Sequence, residues 1–361
     1  MARVSFPLRR ASVLSVVMAV AVAQSSPGVG SATPSPLPLD PSAEPTPVAT
    51  PSPVSPVGAD ETWIVFQQFL GKSTVTLVRP DGSGLHSPTL EVPGGDQTNP
   101  DWSPDGSQLV LAVARGREDL WIVGADGSDA RVVAECGRGC LYLDDPDWSP
   151  DGRSILFSRL RVVEGGSVVA TLEQVDVASG VTSVIVEAEP AHFYAGQRWS
   201  PDGASIVLEV VRLTGAGVDS DVQDVSLAII DLAAPTPAGR ELLGAGRFPE
   251  TAAWAPDGSV IVFGALEAPG GDATDLFAIH PDGTGLRQVT RLVAEGGSAT
   301  HPEVTADSAA VVFSATLPGA DGQVLGRIDL AGGDVTPATG DAFILGVHPR
   351  LRPLPALPAP N

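Results

Sequence analysis

The chain has 361 residues, 43% of them apolar, and a net charge of −22 from 21 Lys and Arg against 43 Asp and Glu. The apolar share is enough for a sizeable core, and a surface this acidic repels nucleic acid and anionic lipid. Gly (40) and Pro (34) together make up about 20% of the chain, above average but below the ~25–30% of a low-complexity chain, so a turn-rich part of it folds.

The first elements are an address and a tether. Arg9 and Arg10 precede an apolar run from Ala11 to Ala23, and Ala21-Val22-Ala23 fits small-residue cleavage before Gln24. Residues 1–23 therefore read as a signal peptide. Thirteen apolar residues are short for a ~30 Å hydrocarbon core, although retention as an anchor stays open. The residues after the paired arginines match a twin-arginine signal poorly, and no cysteine stands near the cleavage point for a lipid anchor. Residues 24–59 follow as a linker rich in Pro, Ser and Thr, with ten prolines between 26 and 58. Such a stretch cannot bury enough apolar surface to offset its ordering entropy and is expected to be an extended spacer.

The body is an array. Asp101-Trp102-Ser103-Pro104-Asp105-Gly106 returns at 147–152, 198–203 and 253–258, with a worn copy at 303–308. Successive Trp positions are 46, 51, 55 and 50 residues apart. A period of that size signals a solenoid or propeller and outranks the two-domain prior that length alone suggests. Within each unit Pro sets the turn, Asp suits its second position, and Gly takes the left-handed conformation that closes a hairpin. Nine residues after each Trp position stands a large apolar residue: Leu111, Phe157, Leu208, Phe263, Phe313. It ends a short apolar run that reads as a strand covered on both faces. A third strand (for example Asp119 to Val123), a second turn (Ala125-Asp126-Gly127) and a more polar fourth strand complete a propeller blade.

The two ends close the array. Thr62 to Phe66, Ser73 to Val78 and Leu85 to Glu91 read as the second, third and fourth strands of a blade that lacks its first. His348-Pro349-Arg350-Leu351-Arg352 aligns with His301-Pro302-Glu303-Val304-Thr305 and supplies it, 47 residues in phase from Val304 to Leu351. The expected fold is all-β: a six-bladed propeller over residues 60–353 with four-stranded antiparallel blades, the N- and C-termini sharing one blade. A Pro-rich tail occupies 354–361.

This pattern resembles the TolB-type six-bladed propeller, a WD40-like repeat built on a Trp-Ser-Pro-Asp-Gly turn, over about residues 60–353. The resemblance implies the fold more strongly than an activity. It includes export-side scaffolds, propellers attached to prolyl-oligopeptidase-like hydrolases, and sugar-acid lyases. TolB itself would carry an α/β domain where this chain has its linker, so a role in that envelope complex does not carry over.

Chemical motifs are sparse. No Gly-x-Ser-x-Gly and no His-Glu-x-x-His occur, and Gly71-Lys72-Ser73 lacks the first glycine of a phosphate loop. The Asp-rich turns lack full calcium-loop spacing. Cys136 and Cys140 are the only cysteines; in an exported chain an even pair predicts a disulfide, with redox or metal work as the alternative. Three positions before each Trp site stand His348, Asn99, Asp145, Gly196, Thr251 and His301. Closure sets His301, His348, Asn99 and Asp145 along one arc of the channel mouth, a candidate site for a divalent metal or a polar ligand. The same residues could instead serve to start the inner strands. One position before the Trp sites, Arg350, Asp101, Asp147, Arg198, Ala253 and Glu303 mix both signs and read as a structural ring. Connections on one side of the blades vary in length, and that of Glu187 to Gln197 carries His192, Phe193 and Tyr194 as binding candidates.

The expected function is that of an exported, noncatalytic, monomeric propeller that binds a protein or glycan without a cofactor. Its location is extracellular, cell-surface or periplasmic, with no nucleic-acid partner and no membrane insertion after signal cleavage. The alternative is a metal-assisted lyase or hydrolase working at the channel mouth.

Overall fold

A computed structural model describes residues 58–353, apart from 59–60, 70, 89–91, 93–94, 164–166, 188–190, 216–220, 235–238, 245, 269–270, 272 and 321. The expected signal peptide, the linker up to residue 57 and the tail lie outside the described residues.

The chain forms six antiparallel sheets. Blade 1 joins β1 (Ile64–Phe69) and β2 (Ser73–Val78) to the last strand, β23 (Val347–Leu351). Blade 2 comprises β3 (Asp96–Trp102), β4 (Gln108–Ala114), β5 (Glu118–Gly124) and β6 (Arg131–Ala134); blade 3 comprises β7 (Cys140–Trp148), β8 (Ser154–Val162), β9 (Val168–Asp176) and β10 (Thr182–Val186). Blade 4 follows with β11 (His192–Trp199), β12 (Ser205–Leu213), β13 (Val222–Asp231) and β14 (Gly239–Leu243). Blade 5 has β15 (Glu250–Trp254), β16 (Ile261–Leu266), β17 (Thr274–Ile279) and β18 (Arg287–Gln288); blade 6 has β19 (Ser298–Val304), β20 (Ala310–Thr316), β21 (Val324–Asp329) and β22 (Thr336–Pro337). The first strands touch in a closed ring, β23, β3, β7, β11, β15, β19 and back to β23. Among the described residues, the one helical element is a 3₁₀ turn at Val293–Glu295.

The repeated turn explains why the period survives. In blade 2, the Ser103 hydroxyl donates to Asp105 (2.7 Å) and accepts from the Gln108 N–H (2.9 Å), while the Gly106 N–H closes on the Ser103 carbonyl (2.8 Å). Ser149 with Asp151, Ser200 with Asp202, and Thr305 with Asp307 repeat the arrangement. Gly106, Gly152, Gly203 and Gly258 all take φ near +70°, and in the worn copy Ser308 carries the positive φ instead. The turn thus builds its own hydrogen bonds whatever the loops around it do.

The core lies at the seams between blades. The large apolar residue of each second strand is fully buried, Phe66 in blade 1 matching the series predicted from sequence. Each packs on the preceding blade: Phe157 on Val110 and Ile122, Phe263 on Val207 and Leu227, Phe313 on Val262 and Leu276. The seam from blade 6 to blade 1 is made the same way, by Phe66 on Val312 and Leu325.

Blade 1 departs from expectation in one respect. Where a fourth strand was expected from Leu85 to Glu91, the described residues show a single bridge between Leu77 and His86. Closure rests instead on the C-terminus. The Arg352 N–H donates to the Trp63 carbonyl (2.8 Å), and its guanidinium reaches the carbonyls of Gly106 (2.8 Å), Gly58 (2.5 Å) and Glu61 (3.0 Å). The same group lies 5.7 Å from the Trp102 ring. One buried arginine therefore ties the end of the chain to its beginning and to the first repeated turn. Replacing Arg352 by alanine is expected to lower the unfolding free energy by about 2–3 kcal/mol, as for loss of charge-assisted bonds to buried carbonyls. Lysine, lacking the planar fork, should restore only part. Urea unfolding measures both; an unchanged midpoint for the alanine variant would show that the latch carries no stability.

Candidate functional site

The six aligned residues of the channel mouth share one backbone state. Asn99, Asp145, Gly196, Thr251, His301 and His348 all have φ between +48° and +58°. At each of them the pairing of first and second strand slips by a residue, as between Thr98 and Asp101 or Thr300 and Glu303. Each inner strand therefore carries a bulge with one left-handed residue, a conformation that costs least for Gly, less for Asn, Asp or His than for most residues, and most for the β-branched Thr251.

The bulges are held from the neighbouring blade. Asp145 accepts the Gly196 N–H (3.0 Å), Glu209 accepts that of Thr251 (2.5 Å), the Thr251 hydroxyl accepts that of His301 (2.9 Å), and Ser314 accepts that of His348 (3.1 Å). Farther along the same strands, Asp101 accepts the Trp148 N–H and Asp147 that of Trp199, both at 2.8 Å. In every case the acceptor lies one blade earlier. At the seam from blade 1 to blade 2, arginine does the work: Arg350 meets Asp101 (3.6 Å) and Glu303 (3.1 Å), and the Trp102 indole donates to the Arg350 carbonyl (3.3 Å). Arg198 meets Asp147 (3.6 Å). Three acids share two cations here, and burial pushes the carboxyls of Asp101, Asp147 and Glu303 above the ordinary range.

Of the four candidate ligands, the structure brings the two histidines together. The rings of His301 and His348 lie 3.6 Å apart between centroids, and burial lowers the pKa of both, so they are neutral. The Thr300 hydroxyl sits 2.8 Å from His301 Nδ1. Asn99 instead donates to Asp144, and Asp145 is engaged with blade 4. Among the described residues, no group of three or more His, Cys, Asp or Glu side chains is arranged to hold a metal.

His192, Phe193 and Tyr194 lie within β11 rather than on a loop, because that strand runs back from Trp199 through its bulge to His192. Phe193 is buried among Tyr142, Leu160 and Val211, and the Tyr194 carbonyl accepts the Ser158 hydroxyl (2.7 Å). Phe193 and Tyr194, with Tyr142, Asp144, Asp145 and Ser158, line a cavity of about 20 Å³ between blades 3 and 4, room for a water molecule. Cys136 and Cys140 are joined as a disulfide, Cα to Cα 5.3 Å, in the connection from blade 2 to blade 3.

Sequence reasoning missed Glu118, Asp144, Glu209 and Ser314. Glu209 carried a signal: a lone charge inside the apolar run Ile206 to Val211. Asp144, beside Asp145 and Glu118, is pushed well up by burial and those two charges, and Glu118 is raised by burial against the pull of the Thr98 hydroxyl.

The class that these features define is a six-bladed β-propeller whose inner-strand polar groups hold its own blades together. The sequence matches the TolB beta propeller domain over residues 42–303, more than half of the chain, and the chain belongs to that family. Among solved structures, TolB from Acinetobacter baumannii is similar with a TM-score of 0.58 at 14% identity, over 82% of this chain and 67% of that one. A protein described as TolB from Agrobacterium tumefaciens gives 0.55 at 18% identity, over 80% of this chain and 91% of that one. The hydrazine synthase of Kuenenia stuttgartiensis gives 0.60 at 14% identity, over 82% and 47%. At such identities the likeness is one of fold. No curated protein matches the sequence.

The buried acids make stability depend on pH. Burial holds the Glu209 carboxyl up at about 8 from an ordinary 4.5, against the pull of the Thr251 N–H. A carboxyl raised on folding contributes stability that is full below about 4.5 and is lost as pH rises through about 8. The lowered histidines act in the opposite sense, their contribution being present above 6.5 and lost as pH falls. Between 6.5 and 8 the acids dominate, so the unfolding temperature should fall as pH rises. Glu209→Gln removes one of these titrations while keeping an acceptor for Thr251, and its unfolding temperature should change less over that interval. Parallel curves for the two proteins would show that Glu209 does not titrate there.

Proposed function

We propose that this chain is an exported, noncatalytic TolB-like propeller that binds a protein or glycan partner through the side bearing its variable connections. The observation that carries the reading is the use of the inner-strand polar groups: the Asp, Thr, Ser and Glu side chains that could act on a ligand in the channel are engaged in joining one blade to the next. Variation is left to the connections between second and third strands and between blades. That side also presents large apolar side chains to solvent, Phe69 (74% exposed) and Leu345 (55%) foremost. They sit close to one another, since the Gln68 amide donates to the Leu345 carbonyl (3.3 Å). Export is supported by the charged and apolar pattern of residues 1–23 and by a disulfide, which persists in oxidising compartments.

Affinity capture on the full chain from the native envelope or medium, followed by mass spectrometry, tests this. A partner is expected with the native protein, and its recovery should drop severalfold with Phe69→Ser plus Leu345→Ser at unchanged thermal stability. Failure to capture any partner, or equal capture by the double variant, would overturn the assignment to this side.

The metal-assisted reading has one observation in its favour, the close pair of neutral imidazoles at His301 and His348. Two nitrogen donors fall short of the three protein ligands of a catalytic zinc site, and Asn99 and Asp145 are turned to other partners. The scaffold reading predicts no stoichiometric metal in protein purified with divalent ions present. A bound metal ion that disappears with His301→Ala plus His348→Ala would reverse the preference.

A further inference from the structure

A second polar site lies away from the channel, where the variable side of blade 3 meets blade 2. Residues 115–161 hold seven of the chain's 21 Lys and Arg. Three of these, Arg138, Arg159 and Arg161, line one open cleft of about 360 Å³ together with Glu173, Thr182 and Ser183. In a chain of net charge −22, three guanidiniums around one carboxylate are a local reversal of sign.

The six blades serve as an internal control on this arrangement. Two residues beyond the buried apolar residue of each second strand stand Gln68, Val113, Arg159, Val210, Ala265 and Ala315. Opposite that buried residue on the third strand stand Thr76, Trp121, Glu173, Ala228, Phe277 and Gly326. Blade 3 alone places a charge at either position, and it places opposite charges at both. A buried ion pair is weak grounds for stability, since apolar residues do as well at such sites.

What the pair does is position guanidinium groups. Glu173, its side chain 5% exposed, accepts Arg159 Nε (2.9 Å) on one oxygen and Arg161 Nη2 (3.2 Å) on the other, with the Thr171 hydroxyl at 2.8 Å. Arg159 also donates to the Glu135 carbonyl (3.0 Å). Both cations are thereby fixed, while the buried Arg161 Nε keeps no hydrogen-bond partner. The opposite wall is the disulfide loop. Its Cys136 N–H donates to Asp119 (2.7 Å), its Cys136 carbonyl accepts Arg117 (3.4 Å), and its Gly139 carbonyl accepts the Val162 N–H (3.0 Å). The loop is thus tied to both blades, and at its tip Arg138 is exposed and makes no ion pair or hydrogen bond among the described residues.

We propose that this cleft is a binding site for a carboxylate-bearing ligand, received by Arg138 and Arg161 with the Thr182 and Ser183 hydroxyls at its side. Guanidinium forks match carboxylate geometry, and Arg161, already held by Glu173 and Thr171, spends little entropy on capture while Arg138 closes over the ligand from the loop tip. The proposal rests on the binding reading above and gives the chemistry of what is bound.

The test is calorimetric titration of the full chain at low ionic strength with malonate as probe. Saturable binding is expected, weakened about tenfold or more by Arg138→Glu and by Arg161→Gln, as for loss of a charge-assisted contact. Arg138 is exposed, so its variant should keep the native unfolding temperature and separates loss of site from loss of fold. Methyl glucuronide and an acetylated dipeptide with a free C-terminus then compete with malonate; the stronger competitor identifies sugar or peptide as the source of the carboxylate. No binding of malonate, or equal binding by the Arg138→Glu protein, would overturn the site. A captured partner insensitive to malonate and to Arg138→Glu would leave the scaffold reading standing and remove this one. Malonate binding with no captured partner would do the reverse.

Discussion

The inner strand of a propeller blade has one free edge. The other strand edges of a blade are paired or left at the rim in water, but the first strand turns its unpaired N–H groups toward the neighbouring blade around a narrow axis. Those donors need acceptors that no sheet can supply. Here side chains supply them, six of them from the blade before: Asp101 to Trp148, Asp145 to Gly196, Asp147 to Trp199, Glu209 to Thr251, Thr251 to His301, and Ser314 to His348. The bulge at each left-handed residue turns the backbone so that the bond can form. Closure in six blades is therefore a directional chain of hydrogen bonds laid over the apolar seams.

The consequences reach the chemistry of the channel. Acceptors for backbone N–H groups must be oxygens, so acids accumulate where burial disfavours their charge. Two arginines, Arg198 and Arg350, offset part of that charge, and burial still pushes their acid partners Asp147 and Glu303 toward the neutral form. A cluster of raised carboxyls in a concave site is a common sign of catalysis. In this propeller the same sign follows from the need to satisfy inner-strand donors, which is why perturbed acids at the axis do not by themselves argue for an enzyme.

Much of the fold was legible in the sequence because the turn is self-contained. Ser, Asp and Gly at fixed offsets build the same hydrogen bonds in three copies, with Thr305 standing in for Ser in a fourth, so their spacing reports the blade count directly, and the in-phase His348-Pro349-Arg350 segment reports closure. The alignment also picked out the six channel-mouth positions. What it could not show was their left-handed backbone, since a β-branched Thr stands among them, nor their partners, since Glu209 and Ser314 come from second strands that read as apolar runs. The candidate residues His192, Phe193 and Tyr194 were placed on a loop because the length of the connection before Trp199 varies; in fact the extra length extends β11, and packing of Phe193 on Leu160 and Val211 draws it inward. Of the expected fourth strand of blade 1, the described residues show one bridge, Leu77 to His86.

In a repeat protein, each blade states what the architecture requires, so a residue that the other blades do without needs a separate reason. By that standard the channel is ordinary: every blade places a left-handed residue there, and four of the six seams spend a side-chain acceptor on it. The seam between blades 2 and 3 is not ordinary. It gives up apolar packing at two diagonal positions for Arg159 and Glu173 and lays a cross-linked loop over them. A neutral pair would have closed the seam as the other five are closed. The structural demands of the propeller thus account for the charges at its axis and leave those at its flank to be explained by what the flank meets.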